Sequence, residues 1–164
     1  MRTLLFYLCF TCSSVAWSQG TFVYPNDQLR WNEAIVHIDG GLVRAGNDWR
    51  GEVLFTVQGD QIFEGYSTSS FDLLYTVRDG QLCRGDSHFS QDVLYTFAPP
   101  GIYIGDSTFL LDQVYNVRDE PLHHGEVMSV YRDDSGSVFD RVCSIQGSVS
   151  PAAWFALMLA QNLL

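Results

Sequence analysis

Four carboxylates recur at intervals of twenty residues: Glu52, Asp72, Asp92 and Asp112. A shorter row, Asp86, Asp106 and Glu126, keeps the same interval. In a closed array such oxygen donors would form a ring suited to a hard divalent cation, calcium above all. The competing reading is turn chemistry, since Asp and Ser open turns by bonding nearby backbone amides. It is favoured because no EF-hand-like loop is present. A second row at the same period, Phe55, Tyr75, Tyr95 and Tyr115, could stack on sugar rings or acyl chains. Here too a plainer reading is favoured, the packing of cross-strand neighbours in a core. His123-His124 suggests a metal, but adjacent strand residues point to opposite faces and do not readily chelate one ion. His37 and His88 occupy different repeat positions, and no His recurs with the repeated Ser and Asp as a catalytic triad would require.

Cys83 and Cys143 lie in the body of the chain. An oxidising compartment would permit a disulfide between them. Closing a loop of about 60 residues would contribute about 3–5 kcal/mol through the unfolded state. Two buried thiols are the alternative. Secretion would favour their oxidation, so neither suits the role of nucleophile. The chain therefore reads as a non-enzyme without a cofactor.

The elements that must position these residues are hairpins. Leu54-Phe55-Thr56-Val57, Gln58-Gly59-Asp60-Gln61 and Ile62-Phe63-Glu64-Gly65 form one unit. The next runs from Leu73 through Arg78-Asp79-Gly80-Gln81 to Gly85, and two more end at Gly105 and Gly125. A fixed short period signals an array of one supersecondary unit. β-branched and aromatic residues fill the arms and Gly-Asp or Asp-Gly fills the turn, which is hairpin grammar. Two-residue turns pair Val57 with Ile62 and Val77 with Leu82. The row Val53, Phe55, Val57 and its copies is then the core face, and the row Leu54, Thr56 and its copies is the other. Residues 35–46 fit the pattern. Phe22-Val23-Tyr24 with Leu29-Arg30-Trp31 reads as a degenerate first hairpin, and 127–147 as a looser last one.

The ends differ from the repeats. Arg2, the apolar run Leu4 to Cys12, and Ala16-Trp17-Ser18 read as a secretory signal peptide over 1–18, cut before Gln19. Nine apolar residues are far short of the ~20 that span a bilayer, so no transmembrane span is expected in the mature chain. The repeat domain covers 19–149. From Gln19 onward the chain has all 19 acidic residues against 8 arginines and no lysine, a net charge of about −11. Such a surface repels nucleic acid and does not dock electrostatically on anionic lipid. Ser150-Pro151 caps a C-terminal apolar helix over 150–164. That helix is apolar nearly all round and should be buried. At ~20 Å it is right to thread a small barrel. Deleting it should unfold the domain, or, if it instead projects into a membrane interface, abolish binding there.

The repeat Leu-Tyr-Thr-Val-Arg-Asp-Gly-Gln-Leu-x-x-Gly-Asp-Ser resembles that of the β-flower proteins, with residues 35–125 matching in length, turn and terminal glycine. The resemblance implies an all-β fold, a shallow symmetric ring or barrel of radially arranged ~20-residue hairpins around an apolar channel. It also implies a shape similar to the tubby-like C-terminal domain, with a central apolar helix and lipid association in some members. It carries no activity over to particular residues. The expected function is that of a secreted, non-enzymatic protein at the cell envelope, binding lipid or another apolar ligand in the channel. The alternative is a carbohydrate- or cell-wall-binding hairpin array. Choline-binding repeats of that kind carry paired Trp and Tyr, whereas Trp occurs here at 17, 31, 49 and 154.

Overall fold

In the computed structural model, residues 20–25, 29–120, 127–133 and 137–164 are described. The expected leader and its cleavage site, Glu126 and the His123-His124 pair lie outside them. Twelve strands close into one antiparallel barrel among these residues. In chain order they are β1 (Thr21–Tyr24), β2 (Val36–Asp39), β3 (Leu42–Ala45), β4 (Val53–Gln58), β5 (Gln61–Glu64), β6 (Leu73–Arg78), β7 (Gln81–Arg84), β8 (Val93–Ala98), β9 (Gly101–Ile104), β10 (Gln113–Glu120), β11 (Val127–Arg132) and β12 (Arg141–Gln146), followed by α1 (Pro151–Ala160).

Five petals are local hairpins: β2–β3, β4–β5, β6–β7, β8–β9 and β10–β11. Val57 pairs with Ile62 and Val77 with Leu82, as the two-residue turns require. At the β6–β7 turn Asp79 and Gly80 both take positive φ, 49° and 80°, the hand that matches the twist of the strands. A Cβ on Gly80 would also lie 2.8 Å from the carbonyl oxygen of Phe97 in the next petal. That close approach has a purpose. Four described turns offer a carbonyl to the neighbouring petal: Gly41 to Val57 N–H, Asp60 to Val77, Gly80 to Phe97 and Pro100 to Val117, all at 2.7–2.8 Å. Petals are thus joined tip to flank, and five of their junctions carry a register shift: β3/β4, β5/β6, β7/β8, β9/β10 and β11/β12. Bulges of this kind raise local twist and let a sheet curl shut.

The sixth petal is assembled from the two ends of the barrel. β1 pairs with β12 on one side and β2 on the other. This corrects the expected first hairpin. Phe22-Val23-Tyr24 does not pair with residues 29–31, because Trp31–Glu33 forms a 3-10 turn. In the repeat frame β12 is the rising arm of a petal whose returning arm is β1, and Val23↔Ile145 stands where Leu82↔Val77 stands in β6–β7.

α1 fills the barrel. Seven consecutive residues, Ala152 to Met158, are buried, so every face of the helix is covered. It packs against β2 to β6. Trp154 stacks on Phe97 of β8, ring centroids 5.1 Å apart. The indole N–H of Trp154 is itself buried without a hydrogen-bond partner. The Tyr115 hydroxyl on β10 donates to the Leu163 carbonyl at 2.8 Å. Ser150 Oγ accepts from Ala153 N–H at the N-cap. The helix stops at Ala160, four residues short of the expected end. Asn162 at φ 54° lets its own N–H reach Leu159 O and the Leu163 N–H reach Met158 O, a Schellman termination. The helix N-terminus lies at the level of the hairpin turns and its C-terminus at the opposite end, where each petal begins.

Candidate functional site

The aromatic row faces inward. Phe55, Tyr75, Tyr95 and Tyr115 pack against the core that includes α1. They are half-buried side chains that pack on the core from the inner face of the wall. The channel expected to receive an apolar ligand is occupied by the protein's own helix, and this corrects that placement.

The carboxylates serve their own petals. Asp72, Asp92 and Asp112 each accept a hydrogen bond from the Ser five residues earlier, Ser67, Ser87 and Ser107, at 2.6, 2.5 and 2.5 Å. Each of those Ser oxygens also accepts a backbone N–H two residues on, from Ser69, Phe89 and Phe109. The unit is a turn lock repeated three times. Glu52 is exposed in a shorter connection that lacks the Ser. Among the described residues no three or more His, Cys, Asp or Glu come together to hold a metal ion. Asp86 bonds Arg78 at 2.6 Å, and Arg78 also meets His88. The expected result of Asp92→Asn is a loss of about 1 kcal/mol or less, since the amide oxygen still accepts the hydroxyl. Adding calcium is expected to leave the melting temperature unchanged, as scanning calorimetry would show.

Thr56, Thr76 and Thr96 on the outer face donate to Gly65, Gly85 and Gly105 carbonyls, each at 2.7 Å. His37 occupies the same position in β2, its Nδ1 2.8 Å from the Gly46 carbonyl. It is a structural substitute for threonine.

Cys83 and Cys143 are both buried free thiols. Cys143 belongs to the inner core, while Cys83 pairs with outward-facing Thr76 and so faces out. Their strands stand five steps apart in a ring of twelve, on the order of 15–20 Å across at ~4.8 Å per strand. A disulfide needs Cα atoms within ~7 Å, so the expected bridge is replaced by two thiols. Burial pushes the Cys143 thiol up from 9.0 to about 12, partly offset by a hydrogen bond with Gln161. A raised thiol pKa means that the fold holds the protonated form. Its contribution is complete below pH 9 and is lost as pH rises toward 12. Stability is expected to fall across that window by about 1.4 kcal/mol per pH unit from this group. Burial raises Tyr24 and Tyr115 in the same direction. Denaturant titrations at stepped pH, repeated with Cys143→Ala, would isolate the thiol's share by a shallower decline.

What sequence reading missed lies between the petals. Four connections contain the 3-10 turns Ser70–Asp72, Ser90–Asp92, Leu110–Asp112 and Val138–Asp140, and a fifth contains Trp31–Glu33. The sixth is residues 46–52. Every one displays a large apolar side chain: Trp31, Trp49, Phe71, Phe89, the run Phe109-Leu110-Leu111, and Phe139. Phe71, Leu111 and Phe139 are 97%, 98% and 94% exposed. Phe71, Leu111 and Phe139 hold one repeat position, directly before the last residue of their turns, and so fall on a circle about the barrel axis, while Trp31, Trp49, Phe89 and Phe109 lie in the same set of connections at other positions. This circle surrounds the end where the petals begin, and the half-buried Leu163 and Leu164 of the plug lie toward the same end. The available signal was apolar residues in connectors, where polar ones are usual. The opposite end carries the turns, with exposed Asp39, Asp60 and Asp79. A shallow cavity of about 370 Å³ opens there, lined by Gly20, Gly40, Gly41, Gly59 and Ser150 among others.

A family model described as 6-fold beta flower protein matches residues 23–153. No curated protein and no solved structure matches the chain. The six-petalled closure by β12 and β1 fits that description, and with the match spanning most of its length the chain belongs to the six-fold β-flower family.

Proposed function

We propose that this β-flower domain is a non-catalytic binding protein, exported by its N-terminal leader, that docks on a lipid surface at the cell envelope through the apolar ring between its petals. The observation that carries this reading is one exposed large apolar residue or more at each of the six connections. Exposed apolar surface gathered on one face marks an interaction site, and aromatic side chains are suited to a membrane–water interface. No helix among the described residues is long and apolar enough to cross a membrane.

The test is vesicle co-sedimentation of the chain from Gln19 onward. Phe71→Ser, Leu111→Ser and Phe139→Ser combined are expected to lower partitioning by tenfold or more. Even partial burial of three such side chains supplies the ~1.4 kcal/mol that a factor of ten requires. Because the three sites are almost fully exposed, the melting temperature should hardly move. Unchanged partitioning by the triple variant would defeat the proposal. Specific retention on a glycan array, with no vesicle binding, would favour the carbohydrate-binding alternative.

A further inference from the structure

We infer that a cleft on the sixth petal, at the seam that closes the barrel, binds one neutral sugar ring, stacked on Trp31 and held by the side-chain amide of Gln146. The cleft, about 320 Å³, is lined by Phe22 and Tyr24 of β1, Gln146 of β12, and Leu29 and Trp31 of the connection that follows β1. That is the small end of the range for ligand pockets, with room for a ring-sized group. Gly20 and Gly147 complete the lining. They stand where the other petals have a turn, so the cleft opens on a petal without one. Its aromatic pair also breaks the repeat. Phe22 and Tyr24 hold the two outward positions of the returning arm, opposite Gln146 and Ser144. At the same positions each of the other five returning arms, all described, carries one aromatic residue or none. The aromatic parts are braced. Phe22 stacks on His37 with ring centroids 5.7 Å apart, Tyr24 is buried, and the Trp31 carbonyl accepts from the Asn47 side chain at 3.0 Å. Trp31 itself is 62% exposed, a flat apolar face open to a ligand. The Tyr24 hydroxyl donates to Gln146 Oε1 at 3.3 Å. That bond orients the amide and leaves its Nε2 hydrogens for an acceptor. A pyranose matches both halves of the cleft. The C–H hydrogens on its ring face carry slight positive charge and meet the negative face of the indole, while its hydroxyl oxygens accept from the amide. No acidic or basic side chain lines the cleft, so an ionic ligand would leave water without a counter-charge. An acyl chain would leave the Gln146 amide unpaired. The site stands whether or not the apolar ring docks on lipid.

The experiment titrates the chain from Gln19 onward with the methyl glycosides of glucose, galactose, mannose and N-acetylglucosamine, followed by nitrogen–proton NMR of the Trp31 indole and the Gln146 amide. At least one glycoside is expected to shift both signals saturably, with a dissociation constant on the order of 1 mM for so small a ligand. Trp31→Ala should weaken binding of that sugar by about tenfold or more, because the stacked face loses its burial. Trp31→Phe should restore part of the affinity. Trp31 is exposed, so neither variant should move the melting temperature appreciably. A glycolipid head group and a polysaccharide both present such a ring. The preferred sugar is therefore also offered as a soluble oligosaccharide and as a glycolipid in phosphatidylcholine vesicles. Tighter binding of the oligosaccharide than of the glycoside assigns a polysaccharide. Tighter binding confined to the glycolipid vesicles, and lost with Trp31→Ala, assigns a head group. The Phe71→Ser, Leu111→Ser, Phe139→Ser variant is expected to titrate with the glycoside as the unaltered chain does, which keeps this site separate from lipid docking. Failure of every glycoside to shift the two signals would overturn the inference and leave lipid docking intact. Choline chloride shifting them at lower concentration than any glycoside would reassign the cleft to an ammonium ligand and overturn it as well.

Discussion

Deletion of residues 151–164 is expected to leave no folded barrel. Trp154, Phe155, Leu157 and Met158 are at most 2% exposed, and burying side chains of this size stabilises by ~1.5–3 kcal/mol each. Together they approach the whole net stability of a domain, ~5–15 kcal/mol. The loss would be compounded inside the wall. Val23, Val43, Ile62, Leu82, Ile102 and Ile145 are fully buried in the same core as the helix and would line a wet lumen without it. Circular dichroism and size-exclusion chromatography of the truncated chain should report unfolded or aggregated material. Phe155→Ala, which keeps the helix, is expected to cost about 3–5 kcal/mol and to leave a cooperative but lower melting transition. A truncated chain that stayed folded and monomeric would show that the barrel stands without its plug.

The hairpins and the plug were legible because the features that set them are local. A two-residue Asp-Gly turn fixes register, and register fixes which residues face in. Phe55, Val57, Tyr75 and Val77 could be assigned to the core on that basis. A helix without a polar face allows few placements beyond the inside of something. The lumen's occupancy follows only when both facts are combined, since an apolar row suggests a ligand as readily as a plug. The disulfide was not legible, because cysteine count and compartment say nothing about which side of the wall a residue faces. Cys83 takes the outward position that Phe63 takes in β5 and Tyr103 in β9. The ring of exposed side chains was hidden by its position. Phe71 and Leu111 stand next to strand residues in the sequence, but the Ser-Asp lock turns the chain there and leaves them outside. The lock also accounts for the acids' regular spacing without any bound ion.

The closure of the ring was the least legible part of the fold, and it carries the second large effect. The returning arm of the sixth petal, Thr21–Tyr24, lies more than a hundred residues before its rising arm, Arg141–Gln146. Sequence proximity favours pairing 22–24 with 29–31, yet the chain has an arm without a partner at each end, and a ring consumes both. Val23 sits in this seam, fully buried, opposite Ile145 and Val36. Val23→Asp is expected to break the seam. The carboxylate would enter the apolar lumen with no partner, a cost that exceeds what four residues of strand pairing return. With β1 displaced, the edges of β12 and β2 would both be free to pair with other chains. The expected outcome is a large drop in melting temperature together with concentration-dependent oligomers, measured by light scattering after size exclusion. Val23→Ala leaves a small cavity without a charge and should lower stability while the protein stays monomeric. That contrast separates loss of packing from loss of closure. A monomeric Val23→Asp protein with an unaltered melting temperature would show that the barrel does not depend on β1 to close.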